Sequence, residues 1–334
     1  MAAALPTLGV LIGAQAAAAE AAAPLASWND GPTKTAILDF VRQTSDRSSQ
    51  SFVPPEERIV TFDQDGTLWV EQPMYAQVIY CLDRVRAVVR AKPELAGVEP
   101  FKTVLSGNME AIAHLGMPDL EKIFAATLTG MSVEDFESQV RTWLPGAKDR
   151  RWKRPYTELI YQPMVEVLQL FRSAGYKTYI VTGGGQDFVR VYADRVYGIP
   201  REQVVGTMGG TKYGYDAAGK PFLTKEPKML LNDNNAGKAE SIHAMIGRVP
   251  RAAFGNSVGD KEMLEYTKAG AGLRLSMLVF HDDADREYSY GPAQGLADSQ
   301  IGTFPQSLYD EATAKGWPII SMKNDWKRIF TFDK

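Results

Sequence analysis

Apolar residues recur at helical spacing over residues 32–43, then give way to a short β-branched run, Arg58-Ile-Val-Thr-Phe62, that predicts a buried strand. This strand stops abruptly at Asp63-Gln64-Asp65-Gly66-Thr67, a stretch too polar to continue into a core. Helical spacing returns over 74–89, 107–115, 117–129 and 133–140 with no convincing strand among them, so residues 71–158 read as an all-helical insertion. An amphipathic helix over 164–174 follows, closed by Gly175, and leads into a second strand over 176–181 that ends in Thr182-Gly183-Gly184-Gly185. Residues 203–206 suggest a third strand, and 211–225, centred on Ala217-Ala-Gly-Lys220, a β-hairpin. A helix over 237–246, strands over 251–254 and 273–280, and a C-terminal helix and short strand complete the pattern. Strands alternating with helices predict an α/β fold, a doubly wound, mostly parallel sheet of Rossmann-like type. The helical segment 71–158 interrupts a core made of 20–70 and 159–334. Ligands of such sheets bind beyond the carboxyl ends of the strands, and three of the predicted strands end in chemically unusual loops.

Composition narrows the chemistry. The 334 residues carry a net charge of -3, with 45% hydrophobic and 23% charged residues, a globular balance with no general pull toward nucleic acid or anionic membrane. A single cysteine, Cys81, forbids an intramolecular disulfide and excludes zinc sites of four cysteines or of two cysteines and two histidines. The three histidines show no HExxH spacing. Carboxylates, hydroxyls, lysines or a hard cation must therefore carry any reaction. Residues 1–19 contain no charged side chain and are rich in alanine, which predicts a secretory signal peptide cleaved after Ala16 or Ala19. A periplasmic or secreted address follows. The missing basic start leaves a cytoplasmic address as the alternative, and the composition is too weakly apolar for stable membrane insertion.

Four loops hold the candidate chemistry. Alternation along an extended chain aims Asp63 and Asp65 into one volume. Two carboxylates so close suit half of a Mg²⁺ site, or a division of labour between nucleophile and proton carrier. The glycines after Thr182 let backbone amides approach an anion. Lys238, at the start of its predicted helix, is misplaced with respect to the helix dipole, which implies an anionic partner. Asn256 and Asp260 can add oxygen ligands beside the first acidic pair. The run His281-Asp-Asp-Ala-Asp285 reads as a polar loop, and the basic run 148–154 as a solvated hinge.

In this order the four motifs resemble the haloacid dehalogenase superfamily, and the helical insertion resembles the cap of its phosphoserine-phosphatase-like branch. The resemblance covers about residues 56–285. It implies Asp63 as a nucleophile that becomes an aspartyl-phosphate and Asp65 as the acid and then base. Thr182 and Lys238, with Gly183 and Gly184, would hold the phosphoryl oxygens. Mg²⁺ would be bound by the Asp63 carboxylate, the Asp65 carbonyl and the Asn256–Asp260 loop. Asn256 stands where the family commonly has Asp, and an alternative register would use Asp260 with Glu265. Glu71, eight residues after Asp63, is placed to meet a substrate amine, with Trp69 and Tyr75 as aromatic walls. The implied activity is that of a Mg²⁺-dependent phosphatase for small phosphorylated metabolites. A non-catalytic binder of phosphorylated ligands and a phosphotransferase are the alternatives, and the oligomeric state is left open.

Overall fold

The computed structural model of the protein describes residues 24–333; the expected signal peptide lies outside them. Helix α1 (Pro32–Ser45) opens the fold. Proline at its start needs no amide partner there, and Ile37, Phe40, Val41 and Thr44 form the buried i, i+3, i+4, i+7 stripe. Strand β1 (Ile59–Phe62) follows, buried on both faces. The chain then makes only helices until it returns to the sheet: α2 (Ala76–Ala91), α3 (Phe101–Ser106), α4 (Met109–Ala113), α5 (Met117–Leu128), α6 (Val133–Trp143) and α7 (Gln162–Ser173). The second half alternates. It comprises β2 (Lys177–Gly185), α8 (Gln186–Arg190), α9 (Ala193–Tyr197), β3 (Val204–Tyr215), β4 (Pro221–Leu231), α10 (Ala236–Ser241), β5 (Ala252–Gly255), α11 (Lys261–Ala269), β6 (Leu275–Phe280), α12 (Gln306–Ala314) and β7 (Ile319–Ser321).

These strands form one 7-stranded sheet in the order β4-β3-β2-β1-β5-β6-β7. All neighbours are parallel except β3 and β4. Strand β1 sits centrally, with Phe62 level with Ile180 of β2 and Phe254 of β5. The rings of Phe62 and Phe254 stack at 4.8 Å, and Phe171 of α7 meets both edge-on at 6.4 and 5.8 Å. Each such buried aromatic contributes about 1.5–3 kcal/mol from burial, which pins the carboxyl end of β1 between its neighbours.

Several elements differ from expectation. The third strand and the first arm of the hairpin are one continuous strand, β3; Gly209-Gly210 breaks the sequence pattern there because the pairing with β4 shifts register at that point. The helix expected over 107–115 starts later, because Gly107 ends α3 in the left-handed conformation (φ 70) and the Asn108 side chain caps α4. Helices α3, α8, α9 and α11 had no counterpart in the sequence reading; α8 and α9 are 5 residues each, too short to show a period. The β3–β4 arm reaches sideways onto the helical segment. Gly130 donates to the Lys225 carbonyl at 2.8 Å and the Lys225 amide to Met131 at 2.9 Å. The Lys225 ammonium pairs with Asp187 and lies over the Phe136 ring. Among the described residues, no helix is long and apolar enough to cross a membrane.

Candidate active site

The loop after β1 is tied at both ends. Asp63 donates its amide to the Phe254 carbonyl at 2.9 Å, which continues the β1–β5 ladder one residue beyond the strand. The Gln64 carbonyl then accepts from Thr67 and Leu68, and Gly66 donates to Trp69 at 2.8 Å, which closes the turn. Gly66 sits at φ 77, where a side chain is strained, and a methyl there would also overlap Asn256 Nδ2 and Glu71 Oε1. Its carbonyl accepts from His281 Nε2 at 2.8 Å, so the turn is held from above as well.

Asp63 is buried and faces Lys238. The lysine Nζ lies 2.5 Å from Asp63 Oδ1, 2.6 Å from Asp260 Oδ1 and 2.8 Å from the Val181 carbonyl. All three ammonium donors are thus satisfied by anionic or carbonyl oxygens. The anion implied by the position of Lys238 is supplied by the chain itself. Burial works against the Lys238 charge, but Asp260, Asp63 and Asp233 outweigh it and hold the ammonium above the usual lysine range. Burial and the Asp260 charge push the Asp63 carboxyl well up, against the pull of Lys238. Among the described residues no protein donor reaches Asp63 Oδ2, which leaves that oxygen for a ligand.

Asp65 is half-buried. Its Oδ1 accepts from Trp69 Nε1 at 2.6 Å, and Oδ2 faces Gly184. Burial raises its carboxyl to about 6, while the indole hydrogen bond and Lys238 pull it down. Thr182, at the end of β2, is buried, and its Oγ1 accepts from the Gly184 amide at 3.1 Å. Gly183 is exposed, and Gln77 Oε1 on α2 takes the Gly185 amide at 2.7 Å. The ends of β1, β2 and β5 and the start of α10 therefore bring Asp63, Asp65, Thr182, Lys238, Asn256 and Asp260 together, with Gly183 and Gly184 at the rim.

Three placements depart from the sequence reading. Asp260 is turned toward protein donors: Oδ1 accepts from Lys238, and Oδ2 accepts from the amides of Asn256 and Ser257 at 2.9 and 3.0 Å. It orients Lys238 and ties the loop instead. Its proposed companion Glu265 pairs with Lys315 at the surface. Glu71 does not stand at an open substrate mouth; it is 2% exposed, and its Oε1 accepts from Asn256 Nδ2 at 2.7 Å and from the Tyr290 hydroxyl. Burial pushes its carboxyl well up; the Tyr290 bond opposes this, and the charges of Asp65 and Asp63 add to it. Trp69 is likewise no exposed wall: it is buried, stacked on Tyr192 at 4.9 Å, and serves Asp65. Tyr75 accepts from the Gly302 amide. The 281–285 run is a structural loop, with Asp282 held by Ser321 and Lys323, and Asp283 by Arg286.

Sequence reasoning missed Asp233, Tyr290 and Gln77. Asp233 is fully buried beside Lys238, accepts from Ser241, and burial raises it to about 6. The polar run Asn232-Asp-Asn-Asn235 ahead of the Lys238 helix was its available signal. Tyr290 and Gln77 reach the site only through tertiary packing and carry no local signal.

Among the described residues no three or more His, Cys, Asp or Glu side chains are grouped to hold a metal ion. The expected donors are of another kind, one carboxylate, one backbone carbonyl and one amide oxygen, and an all-oxygen set of this sort suits Mg²⁺. Negative groups outnumber positive ones here: Lys238 alone faces Asp63 and Asp260, with Asp65, Glu71 and Asp233 close by. Buried carboxylates in such excess are accommodated either by taking up protons or by a further positive charge.

A parallel sheet with acids off its central strand and a buried lysine facing them defines a class of hydrolase. The family model of haloacid dehalogenase-like hydrolases matches residues 60–265, and the chain belongs to that family. No curated protein matches it. Among solved structures, a conserved functionally unknown protein from Anaerococcus prevotii is similar at TM-score 0.50 with 13% identity, covering 81% of this chain and 95% of that one. A protein of unknown function from Bordetella pertussis follows at TM-score 0.47 and 15% identity, covering 79% and 98%. A phosphoserine phosphohydrolase-like protein from Francisella tularensis aligns at TM-score 0.37 and 16% identity, covering 67% and 88%. At 13% identity the first likeness speaks for the fold alone.

Proposed function

We propose that this protein is a Mg²⁺-dependent phosphomonoesterase that transfers the phosphoryl group of a small substrate to Asp63 and then to water. The observation that carries the reading is the pair of carboxylates on one turn with unlike surroundings: Asp63 against Lys238, Asp65 against Trp69. Asp63 Oδ2, free of protein donors, is the attacking atom; the new P–O bond forms as the ester P–O bond breaks. Asp65, raised to about 6, supplies the proton to the leaving alkoxide and takes one from the water that opens the aspartyl-phosphate. Lys238, its three donors spent on Asp63, Asp260 and the Val181 carbonyl, holds Asp63 in place and contributes positive charge beside the phosphoryl group. The Thr182 hydroxyl and the Gly183 amide meet the phosphoryl oxygens, with Gly184 positioning Thr182. Asp63, the Asp65 carbonyl and Asn256 would hold Mg²⁺, which when bound neutralises phosphate charge and orients the group for in-line attack. The helical segment 71–158 fits a cap over this face, and the uncharged stretch 1–19 supports export.

A panel of phosphate esters tests the reading directly. Phosphate release from small esters at saturating Mg²⁺, abolished by EDTA and restored by Mg²⁺, is expected; no release from any ester would refute it. Adduct formation at Asp63 with beryllofluoride would separate an enzyme from a protein that only binds.

Trp69 gives a finer check. Its indole stabilises ionised Asp65, so Trp69→Phe should raise the Asp65 pKa. The acid step needs the protonated form. The alkaline limb of kcat/KM should therefore move to higher pH, by up to about 1 unit for the loss of about 1.4 kcal/mol of hydrogen bonding. An unmoved limb would show that the indole does not tune the acid.

A further inference from the structure

Asn256 replaces an acid that the family commonly places at the end of β5, which leaves the expected cation site one negative charge short. The structure shows a carboxylate beside it. Asn256 Nδ2 donates to Glu71 Oε1 at 2.7 Å, while Asn256 Oδ1 lies 3.2 Å from the Thr67 hydroxyl on the Asp63–Asp65 turn. The amide is thereby oriented, nitrogen toward Glu71 and oxygen toward the turn. A carboxylate accepting from an amide N–H also draws electron density onto the amide oxygen, which makes that oxygen a better ligand for a hard cation.

Glu71 is built into this position. Methyl groups at Gly66 or Gly302, both at positive φ, would overlap Glu71 Oε1, so two glycines make room for one carboxylate. Tyr290 caps the same oxygen from a segment beyond residues 60–265. Both donors to Glu71 are neutral, and among the described residues no lysine, arginine or histidine pairs with it. A buried carboxylate with only neutral donors is costly unless a positive charge lies near. Glu71 Oε1 lies against Gly66, the residue after Asp65 on the Asp63–Asp65 turn, so a cation held by that turn is within its reach.

We infer that Glu71 and Asn256 act as one unit at the cation site, the amide supplying the ligand oxygen and the carboxylate supplying the charge and the orientation. This rests on the Mg²⁺-dependent reading above. Glu71 is then a positioning residue and does not anchor substrate.

The test is calorimetric titration with MgCl₂ alone, without substrate, of the wild type, of Glu71→Gln, and of the mirror variant carrying Glu71→Gln with Asn256→Asp. Glu71→Gln should weaken Mg²⁺ binding about 10–100-fold, the usual effect of losing an outer partner of a metal ligand. The mirror variant moves the charge across the same hydrogen bond, a glutamine N–H now donating to an aspartate, and should regain wild-type affinity. Unchanged affinity in Glu71→Gln, with KM raised instead, would overturn the inference. A mirror variant that binds no better than Glu71→Gln would also overturn it. If Glu71→Gln does not fold, the mirror variant decides alone: wild-type affinity supports the unit, and a folded protein with lost affinity overturns it. A wild type that hydrolyses esters but takes up no Mg²⁺ would overturn both this inference and the cation assignment, whereas failure confined to the variants overturns this inference only.

Discussion

Asp63→Asn is expected to lower kcat for ester hydrolysis by about 10⁴–10⁶-fold, the scale seen when a covalent nucleophile is removed, while the protein stays folded. The amide keeps the shape of the carboxylate and can still accept from Lys238, so the thermal midpoint should move little. Its Oδ1 carries no full charge, however, and the atom that attacks phosphorus is gone. Phosphate release measured beside a circular-dichroism melt checks both halves. A variant that is folded and still turns over at a tenth of the wild-type rate would remove Asp63 from the reaction.

Lys238→Met should cost about 3–5 kcal/mol of stability in EDTA, because it strips the one cation from two buried carboxylates. Lys238 is buried with Asp63 and Asp260 at 2.5 and 2.6 Å. Without it nothing opposes the burial that already pushes the Asp63 carboxyl up, so the folded pKa of Asp63 rises further above its unfolded value. Stability gained from such a group is present below the unfolded pKa and is lost as pH rises through the folded one. The deficit against wild type should therefore be smallest near pH 4, about the unfolded value for Asp, and widen toward neutrality. Urea melts at several pH values would show this. A deficit that is flat with pH would mean that the lysine contributes packing and not charge.

The sheet and the order of its motifs were legible because β1, β2, β5 and β6 are short apolar runs that end in polar loops, and a buried parallel strand has few other ways to read. The acids on the first turn were legible for the same reason: Asp63-Gln-Asp65-Gly breaks the strand where no core residue is needed. What could not be read was direction. Asp260 and Asn256 lie on one loop, and spacing alone could not say that Asp260 turns toward Lys238 while Asn256 turns toward Glu71. Glu71 and Trp69 looked like substrate contacts because they follow the motif closely. Their burial depends on Tyr290, Gly302 and Tyr192, which lie more than a hundred residues away and have no local signature. Helices α8 and α9 escaped for a simpler reason, since a single turn of helix shows no period.

The clasp of the β3–β4 arm on residues 130–132 has its own consequence. Backbone amides and carbonyls join the two through Gly130, Met131 and Lys225, and this bonding does not depend on which side chains the helices carry. A graft that replaced the helical segment with another of different preference would have to bring residues 221–231 along. Strand and helices would travel as one exchangeable module, and a helical segment moved alone would arrive without its fastening.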